Sequence, residues 1–263
     1  MVKALENYGW FLPVQASDFA ADIDRGLIII HWAMALIFVL WGIFFVYLLV
    51  RYRHRDGHKV ERSHMSLAVS MTPDVAVLGF EILLIAVYAV PSWSRMKITV
   101  PPAEGAVQVE LMAEQFNWSA RYPGKDGKFG RTAPDQVDFT NPFGIVAEDP
   151  AGADDVVAVN EMRFPVDETV LVKLTSKDVI HSFFIPEFRV KQDAVPGMAL
   201  PVWFKPNRVG EYELTCAQLC GVGHAIMRAD VKVEDRASFD AWLASKKAAE
   251  HADAATPAAV EQW

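Results

Sequence analysis

Residues 26–50 read GLIIIHWAMALIFVLWGIFFVYLLV, a run in which His31 is the only Asp, Glu, Lys, Arg or His. As a helix rising ~1.5 Å per residue it reaches about 37 Å, more than the ~30 Å hydrocarbon core of a bilayer. A chain carrying such a run does not fold as a plain water-soluble globule. A second run, Val75 to Trp93, reads VAVLGFEILLIAVYAVPSW with Glu81 as its only charge, and Pro91 near its end is tolerable there. Two crossings make a transmembrane hairpin over residues 26–95, with helices expected at about 26–50 and 75–94.

The connection between the runs, RYRHRDGHKVERSHMSLAVSMTPD, carries Arg51, Arg53, Arg55, Lys59 and Arg62. Positive loops stay cytoplasmic. Residues 1–25 are acid-biased, so they and everything after Trp93 are assigned to the outer side. A polar, Pro-containing stretch precedes the first run, unlike a cleaved signal, and the first helix is expected to serve as its own insertion signal.

From about Val107 the pattern changes to short alternating or β-branched runs such as VQVELMA, ETVLVKLT, EYELTC and MRADVKV, broken by Gly, Pro and Asp. That spacing predicts an antiparallel β-sandwich or barrel over residues 105–235. Residues 123–155 are rich in Gly, Pro, Asp and Asn and too long for a bare loop. They read as an insertion that forms a small hairpin or a partner-facing flap. Beyond Glu234, Phe239, Trp242 and Leu243 fall at helical spacing, predicting one amphipathic helix and a frayed tail over 236–263. The fold class is therefore an α+β membrane protein: a two-helix hairpin, an all-β outer domain and a short C-terminal helix. A net charge of −8 argues against nucleic acid and permits a basic protein partner.

The only two cysteines lie in CAQLCGVGHAIM, Cys216 to Met227. In an oxidising compartment two such thiols could simply form a disulfide. A disulfide gives no reason for His224 and Met227 to follow, with Gly221 and Gly223 letting the backbone turn tightly. Thiolate, imidazole and thioether together are a copper ligand set, and His181 in DVIHSFFIPEFRV is the candidate donor from a neighbouring strand. A mononuclear blue-copper site uses one thiolate, so a second thiolate suggests two metals bridged by both sulfurs.

With those residues in place, the chain resembles subunit II of haem-copper cytochrome c oxidases, most strongly from Asp178 to Met227. The resemblance implies a cupredoxin domain with the binuclear CuA centre, two copper ions held by His181, Cys216, Cys220, His224, Met227 and the backbone carbonyl of Gln218. It implies subunits I and III as partners, haems in subunit I, and cytochrome c or another periplasmic c-type protein as electron donor. It also implies a place in the bacterial cytoplasmic membrane. The segment KQDAVPGM resembles the family's stretch near subunit I, with Met198 where many members have Arg. Gln218 replaces the family's Glu, whose carboxylate also binds a magnesium ion shared with subunit I, so magnesium is left with an uncharged amide.

The family's aromatic stretch reads QFNW here, placing Phe116 and Trp118 where electrons are accepted; packing at a strand surface is the plainer role. Asp74 aligns with the family's proton-uptake carboxylate and Glu81 is expensive if it faces lipid. A helix-end cap and a buried hydrogen-bonded acid are their respective alternatives. No C-x-x-C-H occurs, so no fused c-type haem is expected. The insertion, with RYPGKDGKFGRT and NPFGI, resembles a branch whose oxidases associate with a quinol-oxidising complex. A thioredoxin-like copper chaperone would have one crossing, Pro beside the thiols and no H-x-x-M. A quinol-oxidase subunit II would lack the ligands.

Overall fold

The computed structural model describes residues 12–57, 65–138 and 140–255, with side chains as far as 247. It divides into two units, residues 22–99 and residues 1–21 with 100–263.

The first unit holds the hairpin. Helix α1 spans Ala20–Arg51, and the second crossing runs Leu67–Lys97 as α2 (Leu67–Leu84), a π turn (Ile85–Ala89) and α3 (Val90–Lys97). Both are longer than hydropathy suggested. The second helix begins eight residues early because Ser66 caps it, accepting from the Val69 N–H at 3.4 Å, and Thr72 donates to the Ala68 carbonyl at 2.9 Å beside Pro73. Apolarity marks the lipid-spanning part of a helix, whereas capping marks its true end. The π turn lies just ahead of Pro91, which has no N–H to give the preceding turn. Lys59 and Arg62 of the basic connection lie outside the described residues.

One contact where the start of α1 meets the π turn of the second helix is unusually close. Tyr88 donates its hydroxyl to the Asp22 carbonyl, and its ring lies so near Gly26 that a Cβ there would come within 2.5 Å of it. Arg95 adds an ion pair to Asp22 at 2.7 Å. Gly26→Val should displace Tyr88 and lower the thermal stability of the full chain in detergent by about 1–3 kcal/mol, the usual cost of overpacking. The same substitution made in a Tyr88→Ala background should be nearly silent, and equal losses in both backgrounds would contradict the contact.

The second unit is a sandwich of two five-stranded sheets. Its strands are β1 (Val107–Glu114), β2 (Asn117–Tyr122), β3 (Val156–Val159), β4 (Glu161–Pro165), β5 (Val170–Ser176), β6 (His181–Ile185), β7 (Val190–Ala194), β8 (Leu200–Phe204), β9 (Gly210–Cys216) and β10 (Arg228–Glu234). The sheet orders are β3-β2-β1-β5-β8 and β4-β10-β9-β6-β7. Alternating residues line the core, as in the buried, half-buried, buried rhythm of VLVKLTS in β5. Aromatic pairs join the sheets: Trp118 with Phe183 at 6.4 Å and Phe164 with Phe204 at 5.3 Å. The expectation of an antiparallel sandwich needs correction, because β1 pairs parallel with β5 and β4 parallel with β10. Each of those pairs is joined by a long excursion through other strands, which alone permits parallel neighbours.

Residues ahead of α1 are woven into this domain. Ala16 donates its N–H to Glu187 O at 3.0 Å, the Ser17 hydroxyl donates to Phe188 O at 2.7 Å, and Asn207 N–H reaches Ala16 O at 3.1 Å. Helix α4 (Arg236–Ala255) buries Phe239 and Trp242 against Tyr122, with ring centroids 5.9 and 5.3 Å away. At about 1.5–3 kcal/mol for each large apolar side chain, those two residues suffice to dock the helix. Residues 256–263 lie outside the described set.

The 123–155 stretch is a folded flap of turns, with two 3-10 turns and a Thr132 to Ile145 bridge. Asn141 clips it internally, exchanging hydrogen bonds of 2.9 and 2.8 Å with the Ile145 backbone. Arg121 of β2 anchors it: the buried guanidinium holds Asp155, Glu110 (3.0 Å) and the Gly130 carbonyl (2.6 Å) and lies 5.2 Å from the Phe129 ring centroid.

Candidate metal centre

The site forms where β6 and β9 meet. Phe183 pairs with Cys216, which sets His181 at the head of β6 beside the last residue of β9. The ligand loop is pinned at its base by the Cys216 N–H to Met227 O bond (3.1 Å) and at its start by Ala217 N–H to Ser182 O (3.0 Å). A 3-10 turn over His224–Ile226 folds the imidazole back toward the thiols.

The six residues expected from the sequence converge here. Cys216 and Cys220 are free thiols with Sγ atoms 3.8 Å apart, nearly twice the length of a disulfide bond. Cys220 Sγ is 3.7 Å from His224 Nδ1 and 3.7 Å from Met227 Sδ. His181 Nδ1 lies 3.1 Å from Met227 Sδ, and Cys216 Sγ lies 3.1 Å from the Gln218 carbonyl oxygen. The donors of His181, Cys216 and Cys220 all fall within 4.8 Å of one another. Separations of 3 to 4 Å between donors are what bonds of about 2.0–2.3 Å to shared metal ions require. The donor set fits copper: soft sulfur, imidazole nitrogen and a carbonyl, with little for a hard cation to use. His181 is fully buried and Met227 nearly so, whereas the Gln218 side chain is exposed.

Burial and the adjacent Cys216 thiol push Cys220 up to about 11, so metal binding must release its proton. The tautomer of His181 follows from its other nitrogen. Nε2 is 2.8 Å from Asp178 Oδ1, so it carries the proton and Nδ1 presents a lone pair to the thiols and Met227. Burial pulls the Asp178 carboxyl upward, but His181 and the N–H groups of Gln115 and Val179 outweigh it and hold the carboxyl below its usual range.

Sequence reading missed Asp178 and Gln115. The three-residue spacing Asp178 to His181 was a signal, since a turn entering a strand returns its first side chain toward the strand's head. Gln115 opens the QFNW stretch, but nothing in that stretch points to its partner, the Cys220 carbonyl 105 positions away.

Phe116 and Trp118 are separated in role by depth. Trp118 is 1% exposed, edge-on to His181 with centroids 6.2 Å apart, and no donor protein can touch it directly. Phe116 is half-buried on the loop backbone; a Cβ on Gly223 would come 2.5 Å from its ring. Leu219, Val222 and Ile226 stand exposed on the loop. In the hairpin, Asp74 and Glu81 share one face of α2 and line a cleft of about 380 Å³ with Ile37 and Trp41 of α1.

Comparison with known proteins places the domain among relatives. Residues 107–234 match the profile of the cytochrome c oxidase subunit II periplasmic domain. The chain is 35% identical over 239 residues to an alternative cytochrome c oxidase subunit 2 of Bradyrhizobium diazoefficiens, covering 90% of this chain and 84% of the relative. It is 30% identical over 238 residues to cytochrome c oxidase subunit 2 of Cereibacter sphaeroides, covering 81% and 75%. The crystal structure of the periplasmic domain of subunit II of cytochrome oxidase from Bradyrhizobium japonicum is 32% identical, with a TM-score of 0.43 over 57% of this chain and 99% of that one.

Proposed function

Because the chain belongs to the cytochrome c oxidase subunit II family and is a membrane subunit of a haem-copper oxidase, we propose that its outer domain is the electron inlet of that enzyme. In this reading it accepts electrons from cytochrome c, or another periplasmic c-type donor, and passes them to haem in subunit I. Oxygen is reduced to water there, coupled to proton translocation. The observation that carries the reading is the convergence of two buried free thiols, His181 Nδ1, Met227 Sδ and His224 in one pinned loop.

Cys216, Cys220, His181, His224, Met227 and the Gln218 carbonyl would hold two copper ions, which supply one-electron redox chemistry when bound. The chain's own contribution is rigidity and dryness. Two strand ladders and the loop's backbone bonds fix the donors, Asp178 orients His181, and Trp118 and Phe183 close the inner side against water. A donor cage that does not rearrange between oxidation states keeps electron transfer fast. Phe116, not Trp118, presents the aromatic surface to a docking donor, and Trp118 braces His181.

Subunits I and III and membrane lipid surround the hairpin, most of whose apolar residues are exposed along both helices. Asp74 and Glu81, sharing one cleft, are assigned to proton uptake. The basic connection, which by the positive-inside rule stays cytoplasmic, supports assigning both ends of the hairpin and the β-rich domain to the periplasmic side. Magnesium, if shared with subunit I, is held by the Gln218 amide without a carboxylate. The flap over 123–155 is assigned to a partner complex such as a quinol-oxidising one.

The test is copper content and electron paramagnetic resonance of the full chain in detergent. Two coppers per chain sharing one unpaired electron are expected. One copper with a localised spin, or a Cys216–Cys220 disulfide that resists reduction and loading, would sink the reading.

A further inference from the structure

The ligand loop belongs to the β4-β10-β9-β6-β7 sheet, yet its Cys220 arm is held by a turn of the other sheet. Gln115, between β1 and β2, donates its side-chain amide to the Cys220 carbonyl at 2.5 Å. Its own N–H donates to Asp178 Oδ2 at 2.7 Å, and the other oxygen of Asp178 holds His181 Nε2. One residue therefore ties together two ligands that are 39 positions apart in sequence and on different segments.

The glycines of the loop are matched to this contact. Gly221 has φ +137°, and a Cβ there would sit 2.7 Å from Gln115 Nε2 and 3.1 Å from the Phe116 ring. Gly223 is open to the same ring. The GVG stretch thus does more than turn the chain: it leaves the backbone bare where Gln115 and Phe116 press on it, while Val222 between them points out to solvent.

We propose that Gln115 is a positioning residue that sets the spacing between the Cys220 arm and His181, the β1–β2 turn acting as a latch across the two sheets. The inference rests on the copper reading above, and its effect is on how tightly and how symmetrically the metal is held. Removing the amide frees the Cys220 carbonyl and lets the arm relax away from His181. Outer-shell changes of this kind cost about 10–100-fold in metal retention.

The experiment compares copper release to a chelator, and the paramagnetic resonance spectrum, in the full chain in detergent for wild type, Gln115→Leu, Gln115→Glu and Asn117→Ala. Gln115→Leu removes the donor. Gln115→Glu keeps the length and the backbone N–H but faces the carbonyl with an acceptor, and it serves if the leucine variant does not fold. Asn117, the first residue of β2, closes the same turn and accepts from Asn160 at 3.0 Å, so its loss loosens the turn from the side away from the loop.

The expected result is copper release about 10–100-fold faster with an altered spectrum in both Gln115 variants, and wild-type behaviour in Asn117→Ala. Unchanged release and spectrum in the folded Gln115 variants would overturn the positioning role, as would equal changes in Asn117→Ala, which would make the effect a general loosening. A wild-type chain that holds no copper would instead defeat the functional reading, and the positioning role with it.

Discussion

Cys220→Ser should leave a folded chain that no longer retains copper and, on the proposed electron-inlet reading, no longer takes electrons from reduced cytochrome c. A serine hydroxyl is hard and remains protonated, so it replaces neither the softness nor the charge of a thiolate. The loss in copper retention should exceed about 100-fold, the upper end of what changes behind the ligands cost. Cys216→Ser should do the same, since both sulfurs face the shared space 3.8 Å apart. His224→Ala should be milder if a water takes its place, because His224 is half-buried and solvent has access. The fold should tolerate these changes: a buried hydroxyl without a partner costs about 1–3 kcal/mol. Copper content, electron uptake and thermal melting of the metal-free form check the three parts separately. Copper bound at wild-type affinity by Cys220→Ser would mean that the thiol pair is not the ligand set.

The second large effect lies far from the metal. Arg121→Met should destabilise the outer domain by about 3–5 kcal/mol, because it strands a buried carboxylate. Asp155 is 3% exposed, and burial already pushes its carboxyl up against the opposing pull of Arg121; one of its oxygens, Oδ1, is buried without a hydrogen-bond partner. Glu110 suffers less because Lys173 remains 2.9 Å away. With ~2–4 °C per kcal/mol for a domain of this size, melting should fall by roughly ten degrees. Adding Asp155→Asn should recover part of the loss, since the amide oxygen still accepts from the Gly130 N–H, now 3.0 Å from Asp155. Proteolysis of the flap should accelerate in the single variant, with copper retention unchanged, because the flap and the loop share no ligand. A loss of copper in step with the flap would instead tie the two together.

Much of the site was legible because its information is local. Five of the six donors assigned to copper fall within Cys216 to Met227, and soft donors of three kinds at that density have few other uses. His181 is readable as the candidate from a neighbouring strand, but the β6–β9 pairing that joins it to the loop is seen only in the structure. The apolar residues Phe239 and Trp242 declared the docking face of α4 by their spacing, and the structure buries both. Phe116 and Trp118, two residues apart, are both assigned to electron entry by the family's aromatic stretch. Strand alternation would put residues two apart on one face; what separates these two is the turn, because Trp118 is buried inside β2 while Phe116 lies in the turn before that strand begins.

What the sequence settled by itself was the two long apolar helices, the β-rich domain, the terminal helix and the loop dense in soft donors. Each is a property of contiguous residues, read from hydropathy, period or the chemistry of one short segment. Only the tertiary structure decided that β1 and β5 run parallel, that residues 16 and 17 join the outer domain, that Arg121 anchors the flap, and that Asp178 and Gln115 stand behind the ligands. Those facts depend on hydrogen bonds between groups remote in the chain. A side chain's type states what it is able to bond, while its partner is chosen by the packing of two sheets, and no local pattern records that choice.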